Sequence, residues 1–175
     1  MELDQVFQKF ERQAHTDMKL NFKKFFADGS LSPKDAALVA LGCAAITNCQ
    51  PIKDFAVAEL KKSDAKDEEI SEALDIAAAM NVANNYYRFR HFVEKEAYLK
   101  PAGFRMSVLT RNQIGKHATE LISLAVSVIN GCESCVQGHE KSVLEHGGSE
   151  EQVHDTARLA STINGLAPIF RELEA

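Results

Sequence analysis

The chain has 175 residues, of which 45% are apolar and 26% are charged, a composition typical of one globular domain spanning residues 1–175. Its net charge of −5 argues against a nucleic-acid-binding surface, because such a surface needs clustered lysine and arginine. The charged N-terminus does not resemble a signal peptide, and the longest apolar run, Ala36 to Ile46, is too short to span a bilayer. We therefore expect a cytoplasmic protein that does not enter a membrane.

Apolar residues recur at helical spacing along the whole chain, and no segment alternates as a half-buried strand would, so the sequence predicts an all-α fold. The helices expected in the first half are one or two amphipathic helices ending at Asp28-Gly29, a buried helix from Lys34 to Thr47, a helix from Pro51 to about Ser63, and a helix from Asp67 through Ala79 that continues as the aromatic and basic stretch Tyr86 to Phe92.

The second half begins with the apolar helix that contains Glu120. The expected features of this half are a helix cap at Thr110 or Asn112, a helix end at Asn130-Gly131, a further helix ending at Gly147-Gly148, a capping box at Ser149 to Gln152 that opens a helix to about Ile163, and a short tail helix after Pro168.

The two halves resemble each other when the sequence is shifted by 83 residues, which places Cys49 on Cys132. This repetition predicts two copies of a three-helix unit, at residues 31–83 and 114–166. The first copy has alanine or isoleucine at the three positions where the second has Glu120, Cys135 and His139. We therefore expect the first copy to be a degenerate repeat without an active site, and the second to perform the chemistry.

Cys132 and Cys135 lie three residues apart at the expected start of a helix. Their Cα atoms should be about 5–5.5 Å apart, a distance that permits a disulfide. The helix N-terminus also favours the thiolate over the thiol. His139 follows Cys135 by four residues and shares its helical face. The other two cysteines, Cys43 and Cys49, are expected to be small buried hydrophobic residues.

This arrangement predicts a redox site. A thiolate can break a peroxide O–O bond, which leaves a sulfenic acid that a second thiol converts into a disulfide. Glu120 should lie nearest to His139 across the helical hairpin, giving a proton relay from Glu120 through His139 to Cys135. We expect Cys135 to react with peroxide and Cys132 to resolve the sulfenic acid, with Cys132 the more open to solvent.

Two other functions are compatible with the same residues. The cysteine pair could exchange disulfides with another protein as a general dithiol–disulfide oxidoreductase. Alternatively, the pair could bind zinc together with His139 and Glu120, as part of a non-enzymatic module.

Two further placements follow from the residue pattern. The aromatic stripe from Tyr86 to Phe92 is expected in the core. The histidines without partners at useful spacing are expected at the surface: His15, His91, His117, His146 and His154.

The pattern Glu120-x11-Cys132-x-x-Cys135-x3-His139 resembles the motif of the alkylhydroperoxidase D (AhpD) family, a branch of the carboxymuconolactone decarboxylase-like superfamily. The resemblance covers nearly the whole chain and includes these stretches: Met80-Asn81, Tyr87 to Arg90, Leu99 to Pro101, Arg105-Met106 and Ala125 to Cys132. Ser134 departs from it, because well-known members have a second histidine between the cysteines. A hydroxyl can pass on a hydrogen bond but cannot take up an additional proton near neutral pH. We therefore expect a weaker proton relay, with slower peroxide turnover or a cysteine pair that serves mainly in disulfide exchange.

The resemblance implies an all-helical homotrimer of duplicated units and a thiol peroxidase acting on hydrogen peroxide and alkyl hydroperoxides without a bound cofactor or metal. It implies that Cys135 reacts with peroxide, Cys132 resolves, and His139 and Glu120 relay protons. Family members can serve as the reductant adaptor of a peroxiredoxin and take electrons from dihydrolipoamide of 2-oxoacid dehydrogenase complexes, which implies similar partners here. The decarboxylase chemistry of the wider superfamily has no use for a C-x-x-C pair.

Overall fold

The computed structural model describes residues 2–110 and 113–174. Over these residues the chain forms eight α-helices and no β-strand, which confirms the predicted all-α fold. The helices are α1 (Leu3–Val6), α2 (Gln13–Ala27), α3 (Pro33–Thr47), α4 (Gln50–Lys62), α5 (Asp67–Val93), α6 (Lys116–Asn130), α7 (Glu133–Glu145) and α8 (Glu150–Glu174). Two 3₁₀ segments, Glu96–Tyr98 and Ser107–Thr110, lie between α5 and α6. None of the helices in the described part of the chain is long and apolar enough to cross a membrane.

The helices repeat. α3, α4 and α5 are followed by α6, α7 and α8 at a constant offset of 83 residues, so that α3 starts at Pro33 and α6 at Lys116. Both hairpins turn through a left-handed residue, Asn48 in the first copy and Gly131 in the second. The structure therefore has the duplicated architecture that the sequence predicted, whereas the boundaries given above for the two units stay a prediction.

The core is centred on α3 and α6, which pack against each other, while α5 and α8 each pack against both. α3 is apolar on every side, and Ala36 through Ala44 are buried. Gly42 permits the close approach of the two helices, because a Cβ atom at this position would lie 2.9 Å from Cγ2 of Ile122. Each repeat thus covers the core of the other, and the two form one packed unit.

Side-chain caps set the start of two helices, as predicted. Ser32 Oγ accepts a hydrogen bond from the Asp35 backbone N–H at 3.1 Å, with Pro33 at the first helical position. Ser149 and Gln152 form a reciprocal capping box, with backbone-to-side-chain distances of 3.1 and 3.2 Å.

α6 starts later than predicted. Thr110 ends a 3₁₀ segment instead of capping α6, and Asn112 lies outside the described residues. The chain enters α6 through Gly115, whose φ of 84° and ψ of 155° fall in a region that glycine alone adopts readily.

The expected tail helix after Pro168 was also wrong, because α8 continues through this proline to Glu174. Proline inside a helix costs about 3 kcal/mol. Leu166, Ala167 and Phe170 are buried on both sides of Pro168, and their packing holds the segment helical.

Two side-chain placements differ from expectation. His15 is buried, with its Nε2 accepting from Arg12 Nε at 2.8 Å and its ring packed on Phe10. In the aromatic stripe of α5, Phe89 and Phe92 are 45% and 73% exposed. Aromatic composition in the last turns of α5 therefore does not lead to burial.

Candidate active site

The cysteine pair lies where the α6–α7 hairpin turns. α6 ends at Asn130, Gly131 adopts the left-handed conformation, and Cys132 precedes the first residue of α7. Cys132 and Cys135 form a disulfide, and their Cα atoms are 5.3 Å apart, inside the expected range.

The two sulfurs differ in exposure, opposite to our expectation. Cys132 is 1% exposed, whereas Cys135 is partly buried and lines a cleft. The Cys132 N–H donates to the Ser127 carbonyl at 3.2 Å, which folds this residue back against α6. The prediction that Cys132 is the more open residue was therefore wrong, and Cys135 is the sulfur that a molecule in the cleft can reach.

Glu120 and His139 are in contact across the hairpin. Glu120, on α6, is 5% exposed, and its Oε2 lies 2.6 Å from His139 Nδ1 on α7. The structure therefore brings Glu120, His139 and Cys135 to one cleft, with Cys132 buried behind Cys135.

Sequence reasoning missed a second partner of Glu120. Lys116 lies one helical turn earlier, and its Nζ is 2.5 Å from Glu120 Oε1. The i,i+4 spacing of Lys116 and Glu120 was a readable signal for this ion pair. Burial by itself would raise the pKa of Glu120, but the hydrogen bonds from His139 and Lys116 outweigh burial and lower the pKa to about 2.

Glu120 is therefore ionised at neutral pH. An ionised carboxylate accepts hydrogen bonds and cannot donate them, so the proton in the Glu120–His139 contact belongs to His139 Nδ1. His139 Nε2 is left as the ring nitrogen that can exchange a proton with groups in the cleft.

The cleft has a volume of about 560 Å³ and uses residues from both repeats. The apolar part of its lining consists of Met80 and Ala83 from α5 with Met106 and Leu109 from the segment before α6, and Tyr87 and Arg90 of α5 also line the cleft. The polar side chains Glu120, His139 and Ser134 lie in the same cleft as Cys135. Since α5 belongs to the first repeat, the second repeat does not form this site alone.

A polar network fixes the hairpin turn against α5. Arg88 donates to the backbone carbonyl of Asn130, the last residue of α6. The Asn130 side-chain amide donates to Asn81 Oδ1 at 3.1 Å and to Asn84 Oδ1 at 3.2 Å. Asn84 in turn donates to Ser127 Oγ at 3.0 Å. These contacts hold the end of α6, and therefore the cysteine pair that follows it, in a fixed position.

The remaining cysteines have a different environment. Cys43 and Cys49 are 0% and 2% exposed, as predicted, and burial raises the pKa of the Cys43 thiol. Within residues 2–110 and 113–174, no group of three or more histidine, cysteine, aspartate or glutamate side chains is arranged to hold a metal ion.

The repeated helical unit agrees with comparisons to known proteins. The family model "Carboxymuconolactone decarboxylase family" matches the chain twice, at residues 14–94 and 95–174. The two matches follow the division between the repeats and cover nearly the whole chain.

Several curated relatives are named alkyl hydroperoxide reductase AhpD. One from Anaeromyxobacter dehalogenans is 40% identical over 86% of this chain and 81% of its own length. One from Gluconacetobacter diazotrophicus is 40% identical over 86% of this chain and 83% of its own. A third, from Coxiella burnetii, is 34% identical over 87% and 88%. The chain therefore belongs to the carboxymuconolactone decarboxylase family and, within it, to the AhpD group.

Proposed function

We propose that this protein is an antioxidant thiol peroxidase that reduces hydrogen peroxide and alkyl hydroperoxides through Cys132 and Cys135. The observation that carries the proposal is that Cys135 is accessible in the cleft that also contains the hydrogen-bonded pair His139 and Glu120. The names of the AhpD relatives support a peroxide-reducing role.

In the first step His139 Nε2 takes the thiol proton of reduced Cys135, which leaves a thiolate and an imidazolium. The sulfur of Cys135 attacks one peroxide oxygen, the O–O bond breaks, and Cys135 becomes a sulfenic acid. The leaving oxygen takes a proton from His139 and departs as water or an alcohol. The position of Cys135 in the first turn of α7 favours the thiolate, because the free N–H groups there stabilise negative charge.

The second step uses Cys132. Its sulfur attacks the sulfenic acid sulfur of Cys135, and water leaves as the disulfide forms. The 5.3 Å separation of the Cα atoms permits this bond without a rearrangement of the helix. An external dithiol then reduces the disulfide by exchange.

Glu120 acts through His139. Because both carboxylate oxygens accept from cationic or hydrogen-bonding groups and the pKa is about 2, Glu120 does not carry the transferred proton near neutral pH. It orients the ring and stabilises the imidazolium, while His139 moves the proton. The proposed relay thus has one proton carrier, His139, and one orienting carboxylate, Glu120, instead of the two proton carriers expected from the sequence.

The partners remain part of the proposal. We expect a dihydrolipoamide-type dithiol as reductant, no bound cofactor, a homotrimer in the cytoplasm, and a peroxiredoxin partner that receives electrons from the Cys132–Cys135 pair. Purified components would test the electron path, because NADH oxidation through a lipoyl-bearing dehydrogenase should then depend on this protein and on peroxide.

Thiol titration tests the central proposal. Reduced protein should lose two thiols per peroxide consumed, and peptide mapping should place the new disulfide between Cys132 and Cys135. Cys135→Ser should consume no peroxide, whereas Cys132→Ser should consume one equivalent and accumulate a sulfenic acid that dimedone traps. Undiminished peroxide consumption by Cys135→Ser would overturn the assigned nucleophile.

A general dithiol–disulfide oxidoreductase is the second candidate function. Ser134, which is exposed beside the cysteine pair, cannot serve as the second proton carrier that well-known AhpD members have at this position. Disulfide exchange needs less proton transfer to a leaving group than peroxide cleavage does. Competing assays with peroxide and a disulfide-bonded protein, both with dihydrolipoamide as reductant, separate the two functions by their relative kcat/KM.

A further inference from the structure

Gly138 is a glycine that the fold does not need. It lies inside α7 with helical backbone and is not among the glycines with positive φ. Outside its own helix and chain neighbours, no atom of the described residues lies within 4 Å of the position that a Cβ would take. Glycine inside a helix costs roughly 0.5–1 kcal/mol relative to alanine. Neither conformation nor close packing therefore accounts for it.

The space beside Gly138 belongs to the cleft. Gly138 lines the cleft between Cys135, three residues earlier, and His139. Residues three apart are neighbours on a helix surface, so the missing side chain leaves room next to the reactive sulfur. The lining of the cleft includes hydrocarbon from Met80, Ala83 and Leu109, with Tyr87 and Arg90 of α5 beside it. An apolar group attached to a peroxide oxygen at Cys135 fits this environment.

The first repeat shows what fills the same position when there is no active site. Phe55 stands 83 residues before Gly138 and is 1% exposed. Its ring packs at 5.6 Å from Phe22 and 5.0 Å from Phe26, both on α2. The repeated framework thus accommodates a phenyl ring at this point of the hairpin, and the second repeat leaves that volume open.

We propose that Gly138 is a specificity-determining residue that keeps open, beside Cys135, a subsite for the aromatic or branched hydrocarbon substituent of an organic hydroperoxide. The inference rests on the proposed peroxidase function and deepens it. The thiolate of Cys135 bonds to the terminal peroxide oxygen, the O–O bond breaks, and the substituent leaves on an alkoxide that takes a proton from His139. The alcohol formed carries the substituent that the subsite holds.

The test compares substrates of increasing size. Wild type, Gly138→Ala and Gly138→Phe are assayed with hydrogen peroxide, tert-butyl hydroperoxide and cumene hydroperoxide. Gly138→Phe should lower kcat/KM for cumene hydroperoxide at least 10-fold and for hydrogen peroxide less than 3-fold, because the new ring occupies the subsite. Gly138→Ala should lower kcat/KM for cumene hydroperoxide by a smaller factor than Gly138→Phe does, because its methyl group fills only part of the subsite. Gly165 is an exposed helical glycine of α8 that does not line the cleft. Gly165→Phe should therefore leave the ratio of kcat/KM for cumene hydroperoxide to kcat/KM for hydrogen peroxide unchanged.

The inference would be overturned if a folded, active Gly138→Phe protein kept the wild-type ratio of kcat/KM for cumene hydroperoxide to kcat/KM for hydrogen peroxide. Such a result includes an equal loss of kcat/KM with all three peroxides. If Gly138→Phe does not fold, Gly138→Leu replaces it in the same comparison. Binding of the product 2-phenyl-2-propanol to the oxidised protein is measured in parallel, by amide NMR shifts near Gly138. This measurement needs no turnover, so binding without peroxide consumption would refute the proposed function and leave the subsite standing.

Discussion

The two repeats share a framework and differ in what lies inside the hairpin. In the first, Ala37, Ile52 and Ala56 are all 0% exposed. In the second, the equivalent positions hold Glu120, Cys135 and His139, with a cleft beside them. The same helical geometry thus supports either a closed hydrocarbon core or a polar site. The site of the second repeat thus differs from the first in two ways: it has reactive side chains, and it lacks the close apolar packing that surrounds the equivalent positions.

The segment that precedes each repeat also differs. α2 packs Phe22 and Phe26 onto Phe55 in the first repeat. The equivalent stretch before α6 forms two short 3₁₀ segments, Glu96–Tyr98 and Ser107–Thr110, instead of a helix. The cleft is open because these segments replace a packed helix and because Gly138 replaces Phe55.

The largest expected effect on activity comes from changing Cys135, the cysteine that lies in the cleft of the second repeat. Cys135→Ala should reduce peroxide kcat/KM by at least about 1000-fold, because the nucleophile is lost. Cys49→Ala, at the position equivalent to Cys132, is the matched control and should retain activity within 3-fold. Steady-state peroxide consumption with excess dithiol measures both.

If Cys49→Ala in a folded protein lost as much activity as Cys135→Ala, the chemistry would not be confined to the second repeat. Circular dichroism of both variants keeps the comparison to folded protein.

Phe55→Ala and Gly138→Ala should have opposite effects on stability. Removing the buried Phe55 ring leaves a cavity and should cost about 3–5 kcal/mol of unfolding free energy. Adding a methyl group at Gly138 meets open space and should stabilise the helix by up to about 1 kcal/mol. Urea unfolding of the two variants measures the difference. A Gly138→Ala protein destabilised by more than 1 kcal/mol would show that the space is not open in solution.

The sequence predicted the local part of the site. The hairpin turn at Asn130-Gly131, the shared face of Cys135 and His139, and the contact of Glu120 with His139 all depend on spacing along two adjacent helices. Helical periodicity and turn chemistry determine such relations, and both are readable from one sequence.

The remaining features depend on tertiary contacts. Cys132 is buried because its N–H turns back onto α6, and the cleft wall comes from α5 of the other repeat. α8 stays helical through Pro168 because its buried face packs on residues distant in sequence, as Phe170 does on Phe7 and Phe10. Spacing along a single chain does not reveal these contacts.

Glu120→Gln should weaken catalysis and change the acid stability of the fold. A neutral amide supports the His139 imidazolium less well, so kcat/KM should fall about 10- to 100-fold. The pKa of Glu120 is lowered from 4.5 to about 2 in the folded protein, so its ionisation stabilises the fold above pH 4.5. That contribution, on the order of 3 kcal/mol, is lost as the pH falls toward 2.

Urea unfolding between pH 5 and pH 2 measures this contribution. The wild type should lose stability more steeply with acid than Glu120→Gln. Parallel curves for the two proteins would contradict the assigned role of the carboxylate, whatever the effect on turnover.

Lys116→Met should have the smallest effect, since it removes one of two partners of Glu120 and leaves His139 in place. The ion pair is partly exposed, and the lysine is 45% exposed, so turnover at pH 7 should change by less than about 5-fold. The pKa of Glu120 should rise from its lowered value, because one of the hydrogen bonds that lower it is lost.

NMR titration of the Glu120 carboxylate measures this shift, and Lys116→Arg should restore it. Lys141→Met, which removes an exposed lysine of α7 that lies 3.7 Å from Glu145, is the control and should leave the titration unchanged. The first repeat has Pro33 at the position of Lys116 and Ala37 at that of Glu120. The lysine and the glutamate are thus both present in the second repeat and both absent from the first. A loss of turnover in Lys116→Met as large as in Cys135→Ala would instead assign Lys116 a direct part in the chemistry.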